Sequence, residues 1–186
     1  MWAVSISNAT ASLSVGALAA LLACVTTARA QVAARPEVPD AIKAPPGETV
    51  VFVAHAAGSQ IYTCGKGDDG KAQWTLKAPE AQLRDAKGAL IGHHAAGPSW
   101  KHIDGSSVTG KMVAKAPAPD PASIPWLLVS VVSHEGNGVL TRVTSIQRIH
   151  TKGGVAPPAE KCDPSKPNAE TWIPYSADYY FFAPGK

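Results

Sequence analysis

The run Ile124–Gly154, IPWLLVSVVSHEGNGVLTRVTSIQRIHTKGG, limits what this chain can fold into more than any other stretch. Trp126–Ser133 is an almost unbroken series of Leu and Val, and Val139–His150 mixes Val, Ile and Thr with polar residues. Stiff, branched side chains favour the pleated backbone. Between the two arms, Asn137-Gly138 suits the positive φ of a tight turn. The stretch therefore predicts a long central β-hairpin, with a bulge near Ser145 to repair the uneven alternation of its second arm.

The rest of the chain agrees. Thr49–Ala54 predicts a strand, followed by a turn at Gly58 and a second strand at Ser59–Cys64. Ala72–Lys77, Pro79–Leu83, Ala89–Gly92 and Ser106–Lys115 read as further strands, with Gly110 as a bulge. His93–Gly105 reads as irregular, because Gly97-Pro98 breaks regular structure. Trp172–Phe182 is an aromatic closing strand, and Gly153–Asn168 a long proline-bearing loop. No amphipathic helix and no repeat stands out. Short strands with Gly/Pro turns predict an all-β, single-domain antiparallel β-sandwich or barrel with long Pro/Gly-rich loops.

The first 30 residues do not belong to that domain. Val15–Val25 is apolar but too short to span a bilayer, and Ala28-Arg29-Ala30 is a small-x-small cleavage pattern. Residues 1–30 thus read as a signal peptide, although no Lys or Arg precedes the apolar run. The expected location is periplasmic or extracellular, with no transmembrane span in the mature chain. Leu21-Leu22-Ala23-Cys24 also loosely resembles a lipobox, which would anchor a lipoprotein through Cys24. Residues 31–46 carry Pro36, Pro39, Pro45 and Pro46 and read as an N-terminal strap, leaving 47–186 as the domain. Cleavage would leave 16 basic and 14 acidic side chains, which makes no case for nucleic acid. It would also leave Cys64 and Cys162, an even pair that in an exported chain predicts a disulfide.

Chemistry-bearing motifs are few. Gly65–Gly70 matches G-x-G-x-x-G, but strand-spaced Trp74 and Leu76 follow where a dinucleotide site needs a helix. Asp68 and Asp69 offer too few oxygens for a calcium loop. His134-Glu135 begins like a zinc-protease box, but position 138 is Gly. The densest candidate is Gly92–Ser106, which holds His94, Trp100, His102 and Asp104. Trp100 beside Gly-Pro-Ser is a platform for a flat ligand, with the two histidines and Asp104 as polar anchors. Extended backbone would send His93 and His94 to opposite faces. A zinc or copper site would need His134, His150 or Glu135 to complete a set with His94 and His102, and nothing in the spacing demands one. No cofactor is expected, no G-x-S-x-G is present, and no nucleophile with its base is visible.

Several short motifs recur in one order: Gly58–Cys64, Trp74, His94…Gly97-Pro98-x-Trp100…Asp104-Gly-Ser106, Ile124–Leu128, Ile146–Ile149…Thr151-x-Gly-Gly154…Cys162, and Tyr175-x-Ala-Asp-Tyr-Tyr-Phe. Together they resemble a family of exported bacterial and fungal proteins grouped as a domain of unknown function, DUF3455-like, over roughly residues 47–182. The resemblance implies export and one compact domain, and it transfers no catalytic residue. Some fungal members carry a dehydrogenase label, but this chain shows no βαβ nucleotide-binding unit. The leading expectation is a non-enzymatic binding protein for a small molecule or cell-envelope polymer. The alternatives are a metal-dependent or acid–base enzyme using the His93–Asp104 loop, and a structural envelope or matrix protein without a pocket.

Overall fold

The computed structural model describes residues 1–3, 33–166 and 169–185. The expected signal peptide and Cys24 lie outside the described residues. Eight strands follow in chain order: β1 Glu48–Lys66, β2 Ala72–Arg84, β3 Leu90–Ala95, β4 Ser99–His102, β5 Ser107–Ala116, β6 Trp126–Glu135, β7 Ser145–Gly153 and β8 Glu170–Pro184. Each pairs antiparallel with the next, and β8 returns to β1 to close a barrel. Of the two expected all-β architectures, the chain adopts the closed one. Among the described residues no helix is long and apolar enough to cross a membrane.

Period-two alternation sorts the side chains. On β8, Tyr175, Ala177, Tyr179 and Phe181 enter the interior, where they meet Trp100, Val129 and Ile146. Tyr180 and Phe182 face outward, yet Phe182 is fully buried. Residues of the expected strap cover it. Ile42 packs on Ile149 and Ala116, and Ala44 packs on Val50 and Phe182. Arg35 lies over the Phe182 ring and donates to the carbonyls of Ala44 and Glu48. The barrel thus has a second apolar layer on part of its outside.

Four expectations need correction. Gly58 is no turn, because β1 runs unbroken through it for 19 residues. A Cβ there would run into the Glu80 carbonyl and Ala81, so glycine allows β1 and β2 to approach closely. Gly58→Val is expected to cost about 1–3 kcal/mol through forced separation of these strands, read by urea unfolding. His93–Gly105 is not irregular: it forms the β3–β4 hairpin, turning at Ala96–Pro98.

The central hairpin is real but shorter. Only Leu127–Ser130 pair with Ser145–Arg148, and the register shift of β7 falls between Ile149 and Lys152 rather than near Ser145. The Asn137-Gly138 segment is no tight turn. Residues 136–144 instead form a plug that folds over one end of the barrel and inserts Leu140 and Val143 into the core. Its backbone needs outside partners, since it has no ladder. Asp104 Oδ2 accepts from Val139 N–H at 2.8 Å, and Ser106 Oγ from Leu140 N–H at 3.2 Å. The protonated Nε2 of His134 donates to the Val143 carbonyl at 2.7 Å. The expected bulge at Gly110 is present as a register shift between Thr109 and Gly110.

Cys64, near the end of β1, is bonded to Cys162 in the long connection before β8, with a sequence separation of 98. The Gly65–Gly70 stretch is the β1–β2 hairpin turn, closed by Gly67 N–H donating to Lys71 O.

Candidate functional site

With one end plugged, the barrel keeps a cavity toward the other. Its volume is about 310 Å³, and all eight strands contribute to its walls. Half-exposed Leu76 and Met112 flank its mouth, with Pro98 of the β3–β4 turn beside them. The walls are mostly apolar, with Leu127 and Val129 on β6. Eight-stranded barrels of this kind have interiors wide enough to be filled by side chains or to hold one small ligand.

The deep wall is built from β3, β4 and β8. His94 and Trp100 are cross-strand partners, and their rings stack at 4.5 Å with 13° between planes. Tyr179 meets both edge-on. Glycine at residue 110 on the neighbouring strand leaves Trp100 its room, since a Cβ there would run into Val129 and lie 3.2 Å from the indole. The small residue and the large one are thus a matched pair.

His94 is 3% exposed, while its neighbour His93 is exposed, as extended backbone requires. The Ser99 carbonyl lies 2.8 Å from His94 Nδ1. A carbonyl only accepts, so Nδ1 carries the proton and Nε2 keeps a lone pair. Burial pushes the imidazole down to about 4, and the nearby Arg148 charge acts in the same direction. His94 is therefore neutral at pH 7. The sign of its stability effect follows. Between about 4 and the ordinary 6.5 the unfolded chain binds the extra proton and the folded one does not. Stability is accordingly present in full above pH 6.5 and lost as pH falls toward 4, by roughly 3 kcal/mol. His94→Gln is expected to remove that portion of the acid sensitivity, measured as the difference in urea unfolding between pH 7 and pH 4.

Two residues that sequence reasoning did not single out complete the wall. Arg148 alternates inward with Ile146 on β7, and Gln60 sits inward on β1 at 1% exposure. The guanidinium donates through Nη2 to the Pro125 carbonyl at 2.8 Å. Its charge lies near Tyr62, Tyr175 and Tyr179, whose hydroxyls are all pushed up, chiefly by burial. The available signal was modest: an arginine at inward parity inside an isoleucine-flanked strand.

The structure separates the four expected ligand-binding residues. His94 and Trp100 line the cavity, whereas His102 and Asp104 do not. His102 packs edge-on against Phe52, and Asp104 N–H donates to its Nδ1 at 3.2 Å. Asp104 anchors the plug, and its carboxyl is held well below the usual range by the Ser106 hydroxyl first and then by the N–H groups of Val139 and Ser106. The histidines weighed as a metal set do not converge. His134 holds the plug, and His150 sits on the outer surface, where its Nδ1 is 2.8 Å from Asp178. Among the described residues no group of three or more His, Cys, Asp or Glu is arranged to hold a metal.

A family model described as a protein of unknown function (DUF3455) matches residues 45–183. No curated protein and no solved structure matches this chain.

Proposed function

Because the chain belongs to the DUF3455 family, whose description names no activity, we propose its function from its own barrel: it binds one small, largely apolar molecule in the cavity behind Leu76 and Met112. The observation that carries this reading is the cavity itself, about 310 Å³ of apolar-walled space in a barrel whose other end is plugged. That volume falls at the lower end of small-molecule sites, which run from about 300 to 1,000 Å³. It favours a small molecule over a strand of envelope polymer. The stacked pair His94–Trp100 offers a rigid aromatic wall and little conformational entropy to lose on binding. The reading is non-enzymatic: among the described residues the walls are mostly apolar, as a binding pocket needs. The disulfide supports an oxidising compartment, and hence export.

Decan-1-ol is a suitable neutral probe. At a hundred times its Kd a ligand adds about 2.7 kcal/mol to the folded state, a readily measured rise in Tm. The rise is expected with the native chain and is expected to shrink at equal alcohol concentration with Leu127→Trp, which fills the cavity from β6. A native Tm indifferent to decan-1-ol, and to cyclic alcohols of similar size, would remove the proposal.

A further inference from the structure

We propose that the ligand carries an anionic oxygen head group, a carboxylate in the simplest case, seated against Arg148, Gln60 and Trp100. This inference deepens the cavity-binding reading and rests on it. Three nitrogen donors on the cavity-lining residues are buried and unpartnered among the described residues: Gln60 Nε2, Trp100 Nε1 and Arg148 Nε. Gln60 and Trp100 are each 1% exposed, so these are interior groups and not surface ones. Buried N–H groups nearly always find an acceptor, because leaving water without one is unfavourable. Trp74 and Trp126 also carry an unpartnered indole N–H, but these three donors belong to residues that line one cavity, a pattern that one oxygen-rich group would satisfy.

Charge selects among such groups. Arg148 is permanently cationic. None of the ion pairs among the described residues includes it. Its one side-chain hydrogen bond to a backbone oxygen, at Pro125, uses Nη2 and leaves Nε free. An arginine edge matches the two oxygens of a carboxylate, and such charge-assisted pairs are stronger than neutral ones. The surroundings do not oppose an anion. His94 and the tyrosines are neutral at pH 7, and among the described residues no carboxylate lines the cavity. His94 Nε2 is an acceptor and would repel a lone pair, which places the head group on the Arg148 side. The apolar mouth at Leu76 and Met112 then receives the hydrocarbon part. The ligand class is an amphiphilic acid: a medium-chain or cyclic carboxylate.

Isothermal titration at pH 7.5 with decanoate, decan-1-ol and decylammonium tests this on the native chain, below the micelle concentrations of the probes. Decanoate is expected to bind at least tenfold more tightly than decan-1-ol, and decylammonium most weakly. Arg148→Met is expected to bring the decanoate-to-decanol affinity ratio down to about one. Gln60→Leu is expected to lower the decanoate-to-decanol affinity ratio severalfold. Equal affinity for decanoate and decan-1-ol in the native chain would overturn the head-group inference while leaving the cavity reading intact. Failure of all three probes would remove the cavity reading, and this inference with it. The native comparison needs no variant, so a poorly folding Arg148→Met leaves the test decisive.

Discussion

Replacing Cys64 and Cys162 together by alanine is expected to lower the unfolding free energy by roughly 4–5 kcal/mol. The bridge spans 98 residues of sequence, and the chain-entropy model assigns about 4.7 kcal/mol to a loop near 100 residues. The loss acts mainly on the unfolded chain, which becomes free to separate the end of β1 from the connection that leads into β8. Locally the two residues are also buried, at 2% and 5% exposure. Alanine leaves space there, but that effect is the smaller one. Urea unfolding of the double variant and of the native chain with and without reductant measures the effect. A double variant as stable as the native chain would show that β1, β8 and the proline-bearing connection are already fixed by pairing and packing alone. For a small domain with total stability of about 5–15 kcal/mol, the expected loss is a large share.

Trp100→Ala is the second large effect, about 3–5 kcal/mol. Trp100 is the largest of the fully buried side chains and touches His94, Tyr179 and Phe181. Gly110, beside the indole edge, offers no side chain to fill the space. The variant therefore keeps a void continuous with the cavity. Two readouts separate its roles. Stability falls through lost packing, and the binding of decan-1-ol changes because the aromatic wall is gone. Trp100→Phe, which keeps a ring, is expected to recover more than half of the stability. If Trp100→Ala cost less than about 1 kcal/mol, the interior would have to rearrange around it, contrary to the close packing of protein cores.

The sequence carried most of the strands but not their relative weight, since the central hairpin pairs only over Leu127–Ser130 while the long seam joins β1 to β8. The aromatic closing strand was legible because Tyr175, Tyr179 and Phe181 repeat at even spacing. The disulfide was legible from cysteine parity. His94 and Trp100 were legible as candidates because histidines and a tryptophan crowd one short stretch. What failed has local causes. Asn137-Gly138 is a strong hairpin signal, but Leu140 and Val143 prefer the core to continued pairing, so tertiary burial overrode the turn. Gly97-Pro98 reads as the end of regular structure, whereas it sits in the turn of a hairpin whose arms are only six and four residues long. His102 and Asp104 shared a sequence neighbourhood with Trp100, but the strand carries them to the plugged end. Arg148 and Gln60 were missed because nothing beside them in the sequence marks them. They matter only through alternation on β7 and β1, which the barrel converts into a shared interior.

The seam between β1 and β8 has a consequence for how the molecule is born. It joins Glu48 to Pro184 and continues to Thr63 and Glu170, so its partners are separated by more than half of the chain. During synthesis β2 to β7 emerge with the ring unlatched, and β8 is the last strand to arrive. Closure is thus an end-game event, and such distant pairing slows folding relative to local contacts. Until then the cavity behind Leu76 and Met112 does not exist, and the interior side chains of a nascent chain have no closed wall to pack against.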